Sequence, residues 1–230
     1  MSKSRQEISG FYDKYATQQA EVGVNIRHRT IIKRLKGLGL NSQSNVLEIG
    51  CGIGTLTGLL AAKAGKVLAV DISPESIERA KQRLSKFSNL SLMVSDMSDF
   101  VSQQKFDLVV LPDVLEHIPV EQHAALFKTI ASVLHDNGRV CINIPDPYYL
   151  DWVRVNRPEL LQIIDQSLYA DILVPTIYSS GLVLQKFERY ALSMDSEDYE
   201  WLELVKRPAR TTYKKKEYLT AAMDEVKARI

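Results

Sequence analysis

The residues best suited to chemistry form a glycine-rich turn in the segment Val46–Gly54, which reads VLEIGCGIG. Its glycines, Gly50, Gly52 and Gly54, alternate with other residues directly after a β-rich run and directly before a helical one. Glycine is required where the backbone takes a positive φ or where a ligand approaches the main chain closely. Nucleotide-like ligands bind a doubly wound sheet at the carboxyl end of its first strand. The turn therefore predicts such a ligand, and a glycine-rich turn without a ligand is the alternative.

An acidic residue at the end of the next β-rich run supports this interpretation. Asp71 ends the run VLAVD and lies 21 residues after Gly50. In sheets of this kind, an acid about 20 residues beyond the glycines accepts hydrogen bonds from ribose hydroxyls. A strand-end aspartate that only forms a turn or caps a helix is the alternative. The paired spacing favours ribose binding.

The order of the glycines distinguishes two classes of cofactor. A dinucleotide fingerprint reads G-x-G-x-x-G, but Thr55 stands where its third glycine belongs, and Gly54 comes one residue earlier. Glu48 precedes the first glycine. A carboxylate so close to the turn disfavours a pyrophosphate and suits a ligand that carries an ammonium group. A nicotinamide-dependent oxidoreductase on a similar sheet is therefore a disfavoured alternative.

The elements around the turn alternate between strands and helices. The predicted strands are Asn45–Gly50, Lys66–Asp71, Leu90–Val94, Phe106–Leu111 and Arg139–Ile144, and the predicted helices between them are Leu56–Ala64, Pro74–Phe87 and Val120–His135. This alternation predicts a parallel sheet with helices on both faces. The flanks predict two helices over 5–38, with the second over Val24–Leu38. They also predict a helix from Pro158, a hairpin of 182–192 with 199–206, and a helical tail from Lys214.

Four ordered sequence blocks between Val46 and Ile118 carry a family resemblance. They read VLEIGCGIG, AVDIS, VSDM and FDLVVLPDVLEHI. In these blocks the chain resembles the core of class I S-adenosylmethionine (SAM)-dependent methyltransferases that act on small molecules. The resemblance implies a Rossmann-like, doubly wound α/β fold with a mostly parallel seven-stranded sheet. The implied strand order is 3-2-1-4-5-7-6, with the last strand antiparallel.

The resemblance also implies which residues contact the cofactor: Glu48, Gly50, Cys51, Gly52 and Gly54 at the methionine part, Asp71 at the ribose, Ile72, Asp96 and Met97 at the adenine, and Leu111 at the methionine amino group. Met97 is expected to offer its backbone N–H, and Leu111 its carbonyl. N-terminal helices commonly cover the cofactor in such enzymes. Tyr12, Tyr15 and either Arg27 or Arg29 are therefore candidates for touching it, with helix packing or a surface position as the alternative.

The candidate catalytic residues follow the fourth predicted strand. Methyl transfer from a sulfonium depends strongly on holding the nucleophile and the methyl group in line. A general base is required only when the acceptor arrives protonated. His117 is the best candidate base because its intrinsic pKa is near 6.5, and Asp113 is a candidate for orienting the substrate. A structural turn with His117 bonded to the backbone is the alternative.

Neighbouring sequence features limit the range of possible methyl acceptors. Enzymes that methylate exocyclic amines of bases often carry an Asn/Asp-Pro-Pro-aromatic tetrad after this strand, whereas the chain reads Leu111-Pro112-Asp113-Val114. We therefore expect methyl transfer to a small molecule, at oxygen rather than nitrogen, with S-adenosylhomocysteine (SAH) as the second product. The sequence names no acceptor, and a catalytically silent SAM-binding scaffold remains an alternative.

Composition excludes several other classes of protein. The 230 residues carry 29 basic and 28 acidic side chains, a net charge of +1, which disfavours nucleic-acid and membrane-surface binding. No apolar run approaches the roughly 20 residues that span a bilayer, and the N-terminus does not resemble a secretory signal. Two cysteines 90 residues apart and histidines without ligand spacing predict no disulfide framework and no metal site. These features favour the cytoplasm, and they leave the oligomeric state open.

The expected organisation is one methyltransferase domain over 1–230. Residues 1–40 form its helical lid and 41–144 its SAM-binding core. Residues 145–180 shape the acceptor site, and 181–230 form a hairpin and a helix.

Overall fold

The computed structural model describes residues 6–13 and 23–209. Its centre is one seven-stranded sheet in the order β3-β2-β1-β4-β5-β7-β6. The strands are β1 Asn45–Ile49, β2 Lys66–Asp71, β3 Leu90–Val94, β4 Phe106–Pro112, β5 Leu134–Pro145, β6 Leu182–Tyr190 and β7 Tyr199–Lys206. Strands β1 to β5 pair in parallel, whereas β7 pairs antiparallel with both β5 and β6. The predicted fold, strand order and antiparallel last strand are confirmed.

Helices cover both faces of the sheet. They are α1 (residues 6–13), α2 Ile26–Gly37, α3 Thr55–Ala61, α4 Pro74–Leu84, α5 Val120–Val133, α6 Pro147–Asn156 and α7 Ala170–Ser179. Strand side chains alternate between faces, so Leu47 and Ile49 join the apolar cluster that contains α5 and α7. Val46 joins the opposite cluster, which contains α2 and α3. Within residues 6–13 and 23–209, no helix combines the length and apolar composition needed to cross a membrane.

Several helix boundaries differ from the sequence prediction. The helix predicted to reach His135 ends at Val133, and β5 begins at Leu134, ahead of the predicted Arg139. Helices α3 and α4 end at Ala61 and Leu84, each three residues before the predicted end. The second N-terminal helix is Ile26–Gly37, and Asn25 caps it. Tyr15 and the predicted helix from Lys214 lie outside the described residues.

The largest difference lies after β5. Helix α6, which the sequence prediction missed, begins where Asp146 accepts hydrogen bonds from the backbone N–H groups of Tyr148 and Tyr149. The predicted helix from Pro158 is wrong: only Pro158–Leu160 form a single 3-10 turn, and α7 starts at Ala170. Several residues between them bond to other elements instead of forming helical hydrogen bonds. Gln166, for example, donates its backbone N–H to the Glu116 carbonyl at 3.0 Å.

Candidate functional site

The carboxyl ends of β1, β2 and β4 surround a cavity of about 190 Å³. Two sets of residues that the sequence analysis singled out line this cavity together. They are Gly50, Gly52, Asp71, Ile72, Asp96 and Met97 from the predicted cofactor set, and Asp113 and His117 from the predicted catalytic set. Carboxyl ends of parallel strands meet at one edge of a doubly wound sheet, which is where ligands bind in such folds.

The glycine turn has a backbone that other residues do not readily adopt. Gly50 has a φ of +75°, and a Cβ added there would lie 2.0 Å from Val114 Cγ2. Gly54 has a φ of +83°, and its added Cβ would lie 2.5 Å from Leu84 Cδ1. The backbone N–H groups of Gly50 and Cys51 both donate to the Val70 carbonyl, at 2.8 and 3.0 Å. These contacts hold the turn against β2 and leave its backbone open to the cavity.

Asp71 links the glycine turn to the start of α4. Its carboxylate accepts hydrogen bonds from Gly52 N–H at 2.7 Å and Ser73 N–H at 2.9 Å. The residue is buried, and burial raises the pKa of its carboxyl group despite these bonds. A carboxylate has about four lone-pair sites, so both oxygens retain acceptor capacity toward the cavity. Asp71 therefore also has the turn-forming role that the sequence analysis gave as the alternative to ribose binding.

The residues predicted for adenine line the cavity beyond Asp71. Asp96 accepts from the N–H and the hydroxyl of Ser98, at 3.0 and 2.7 Å. Met97 has a φ of 66° and is buried. Its N–H, predicted to face the adenine, donates to Ser95 Oγ at 3.0 Å. The Met97 N–H thus already has a partner within its own turn.

Helix α1 covers the cavity beside the turn after β2. Ile8 and Tyr12 are part of its lining. Ser9 Oγ donates to the Ile72 carbonyl at 3.3 Å, and Ser73 Oγ donates to the Asp13 carboxylate at 2.5 Å. The described part of the N-terminal segment thus packs over the turn after β2, where a lid would lie.

Glu48 is fully buried and lies behind the glycine turn, outside the cavity lining. Neither carboxyl oxygen has a hydrogen bond of ordinary geometry to the part of the chain that the structure describes. Burial raises the pKa of Glu48 to about 8, while the nearby Thr57 hydroxyl opposes the shift and Asp71 adds to it. Glu48 is therefore largely protonated at neutral pH.

Other predicted contact residues also lie outside the lining. Cys51 and Leu111 are buried in the core, and Gly54 forms the N-cap of α3. Arg29 is exposed on α2, whereas Arg27 lines the cavity. Of the two arginines, the structure therefore brings only Arg27 to the site.

Arg27 and Asp113 form an ion pair in the wall of the cavity. Arg27 Nε lies 3.0 Å from Asp113 Oδ2, and Arg27 Nη1 donates to Tyr199 Oη at 3.2 Å. Asp113 has a φ of 55°, and Asn143 bonds to it through both backbone and side chain. Burial raises the pKa of Asp113, and the Arg27 guanidinium opposes this effect. Asp113 in turn raises the pKa of Arg27, so the guanidinium is charged.

His117 lies on the same wall, in the 3-10 turn Leu115–His117. Its Nδ1 lies 2.6 Å from the Ile164 carbonyl oxygen and 3.0 Å from Asp165 Oδ1. Burial by itself lowers the pKa of His117, but Glu116, Asp165 and the Ile164 carbonyl outweigh it and raise the pKa to about 9. At neutral pH His117 is therefore an imidazolium, which differs from the near-neutral base that its intrinsic pKa suggested.

Sequence reasoning missed Asp165, Gln162 and Tyr199 as residues of this site. Gln162 lines the cavity, and Asp165 and Tyr199 contact His117 and Arg27 from behind the wall. Nothing in their local pattern signals a site, since they lie far from the motif residues along the chain. Among the described residues, no group of three or more His, Cys, Asp or Glu side chains could hold a metal ion.

Comparison with known proteins agrees with this geometry. Residues 46–138 match the family model "Methyltransferase domain". The chain is 34% identical over 111 residues to Nodulation protein S of Bradyrhizobium diazoefficiens, covering 47% of this chain and 53% of that protein. It is 30% identical over 139 residues to the ubiquinone biosynthesis O-methyltransferase of Xylella fastidiosa (strain 9a5c), covering 59% and 54%. The matches thus span about half the length of these curated relatives.

A solved structure extends the likeness of fold to most of the chain. The N-methyltransferase NodS from Bradyrhizobium japonicum WM9, in complex with SAH, superimposes with a TM-score of 0.64 at 20% identity. The alignment covers 86% of this chain and all of that one. Residues 46–138 thus match the methyltransferase domain, and the chain as a whole shares its fold with a solved, SAH-bound methyltransferase.

Proposed function

We propose that this chain transfers a methyl group from SAM to a small-molecule acceptor, with oxygen favoured over nitrogen as the methylated atom. One observation carries the proposal: a single cavity is lined both by the pair Gly50 and Asp71 and by the pair Asp113 and His117. A ligand bound along the first pair therefore reaches the second without leaving the cavity.

Gly50, Asp71 and the lining residues near them suit the cofactor. SAM supplies a methyl group on a positively charged sulfur. Gly50 and Gly52 line the cavity, so the amino-acid part of the ligand can approach the main chain of the glycine turn. The remaining lone pairs of Asp71 accept the ribose hydroxyls, and Ile72 and Met97 offer apolar contact to the base. Asp96 lies beside them as an acceptor for the adenine amino group.

Asp113, His117 and the lining residues near them position the acceptor. Pro112, Val114 and Ile118 contribute apolar surface, while Asp113 and His117 contribute charge. Arg27 holds Asp113 in one orientation through their ion pair. Displacement at an already activated methyl carbon gains most from such positioning. We therefore assign Asp113 and His117 to binding and orienting the acceptor.

The preference for oxygen has two supports. The chain has Leu111-Pro112-Asp113-Val114 in place of the tetrad typical of amine methylation, and His117 presents a donor suited to an oxygen atom. The similar Xylella fastidiosa protein is named as an O-methyltransferase, and the structurally similar NodS as an N-methyltransferase.

A panel of acceptors tests the proposal. Purified protein with SAM is incubated with matched pairs of metabolites that differ in one group, hydroxyl or carboxyl against primary amine, and SAH release is measured. We expect SAH release with at least one oxygen acceptor and micromolar binding of SAH by calorimetry. A Gly50→Ala variant, in which the added Cβ collides with Val114 and must displace the glycine turn, serves as the blank for contaminating activity.

Two outcomes contradict the proposal. Tight binding of NAD without binding of SAH, with an absorbance change at the nicotinamide band during turnover, indicates the oxidoreductase alternative. Binding of SAH without release of SAH from any acceptor indicates a SAM-binding scaffold.

A further inference from the structure

His117 contacts the rest of the protein through the Nδ1 edge of its ring. Its Nδ1 faces two oxygen acceptors, the Ile164 carbonyl at 2.6 Å and Asp165 Oδ1 at 3.0 Å. Because both partners accept, Nδ1 carries a proton, and the ring cannot turn over without losing these contacts. Nε2 is the nitrogen left on the opposite edge. Its distance of 3.6 Å from Glu116 Oε1 exceeds a hydrogen bond.

Two acidic side chains face His117, and burial raises the pKa of one of them, Glu116, to about 8. Asp165 and Glu116 are buried and are not part of the lining, whereas His117 is. Asp113, the carboxylate on the same wall, is paired with Arg27 of α2. From α1, the Tyr12 ring lies 6.0 Å from the imidazole. His117 therefore reaches the cavity with Asp165 bound at its Nδ1, and Glu116 lies 3.6 Å from its Nε2 without a hydrogen bond to it.

Asp165 is itself held in place. Gln162 donates its backbone N–H to Asp165 Oδ2, which leaves Oδ1 for His117. Arg154 binds the Asp165 carbonyl at 2.8 Å. These contacts fix the carboxylate on a segment that has no regular secondary structure of its own.

We propose that Asp165 is a positioning residue that holds His117 as an imidazolium, whose Nε2–H donates to an anionic oxygen of the methyl acceptor. The acceptor is accordingly a carboxylate, phenolate or enolate. This inference rests on the proposed function and specifies its substrate class. In the transfer, the oxygen–methyl bond forms as the carbon–sulfur bond breaks, and the electron pair leaves with sulfur. The two opposite charges cancel, no proton moves, and His117 keeps its proton throughout.

The electrostatics of the site agree with this assignment. Burial disfavours the imidazolium, yet Glu116, Asp165 and the Ile164 carbonyl raise the pKa of His117 to about 9. A general base, in contrast, works best with a pKa near the working pH. An anionic acceptor needs no base, so a protonated histidine assists the reaction instead of blocking it.

The test is the titration of the His117 ring by NMR in the SAH-bound protein, compared with Asp165→Asn. Asparagine keeps the size of the side chain and an oxygen for Gln162, but it removes the charge. The control is Glu159→Gln, which removes a charge from an exposed residue of the same segment. We expect His117 to titrate well above pH 7 in the parent and in the control. In Asp165→Asn the pKa should fall by about one unit or more, because an adjacent opposite charge is lost.

Titration of the parent ring near pH 6.5, or an unchanged pKa in Asp165→Asn, overturns the inference. If Asp165→Asn fails to fold, the titration of the parent alone decides. This measurement needs no acceptor, so it stands even if no metabolite releases SAH and the proposed function fails.

The rate profile with an oxygen acceptor gives a second measurement. At saturating SAM, kcat/KM should fall as pH rises through the pKa of His117, and this alkaline limb should move to lower pH in Asp165→Asn. The KM for SAM should stay within about twofold, since Asp165 does not line the cavity. An alkaline limb that does not move, a rate that rises through the same range, or methylation confined to amines contradicts the proposal.

Discussion

Replacing Asp71 by alanine tests how the site is held together. Its carboxylate accepts from the backbone N–H groups of Gly52 and Ser73, at 2.7 and 2.9 Å, in a buried position. A buried donor that loses its partner costs about 1–3 kcal/mol, which sums to about 2–6 kcal/mol for the two. Burial raises the pKa of Asp71, so removing the charge recovers part of this loss. We therefore expect the lower half of the range, about 2–4 kcal/mol.

The assay combines thermal unfolding with calorimetry. For a chain of this length 1 kcal/mol shifts the midpoint by about 2–4 °C, so Asp71→Ala should unfold about 5–15 °C below the parent. SAH should also bind at least about tenfold more weakly to the folded variant, since a charge-assisted bond contributes about 1.5–3 kcal/mol. The matched control is Asp99→Ala at a nearby exposed aspartate, which should change stability by less than about 0.5 kcal/mol.

Two results separate the structural and binding roles of Asp71. An unchanged midpoint in Asp71→Ala refutes the reasoning about the turn, because the two donors would then have found other partners. An unchanged SAH affinity refutes the assignment of the ribose to this carboxylate.

Two further changes test the glycine turn and its surroundings. Gly50→Ala should lower the free energy of unfolding by at least about 1–3 kcal/mol, because alanine is strained at a φ of +75° and its Cβ meets Val114; retention of the parent's midpoint and SAH binding would contradict this. Glu48→Gln tests a pH dependence of stability. Burial raises the Glu48 pKa to about 8, so the folded state binds a proton that the unfolded state releases above about pH 4.3. The stability that this proton contributes is lost as pH rises toward 8. The midpoint of Glu48→Gln relative to the parent should therefore be higher at pH 8 than at pH 5 in thermal scans of the apo protein, and an equal difference at both pH values would contradict the assignment.

Local sequence features predicted the parts of the site that depend on local structure. The glycines mark where the backbone takes a positive φ, and Asp71 lies at the end of the neighbouring parallel strand. Their contacts follow from a single βαβ unit, within which spacing along the chain determines spacing in the structure. Both Gly50 and Asp71 accordingly line the cavity.

Contacts between distant segments escaped prediction. Arg27 and Arg29 are equivalent candidates in the sequence, but residues two apart on a helix point in different directions. Packing of α2 directs Arg27 to Asp113 and leaves Arg29 exposed. The segment after Pro158 has a helical pattern, yet Gln166 and Asp165 bind Glu116 and His117 instead. Tertiary contacts thus overrode local propensity.

The sequence by itself predicted the fold of this protein and its resemblance to SAM-dependent methyltransferases. Alternating strand and helix patterns predict a doubly wound sheet, and the glycine and aspartate spacing identifies its ligand-binding edge. Only the tertiary structure decided the charge of His117. That charge depends on Glu116 beside it in the chain and on Asp165, which lies 48 residues away in the chain and 3.0 Å away in space. A pKa is set by burial and by charges within a few ångströms, and the fold alone determines which charges those are.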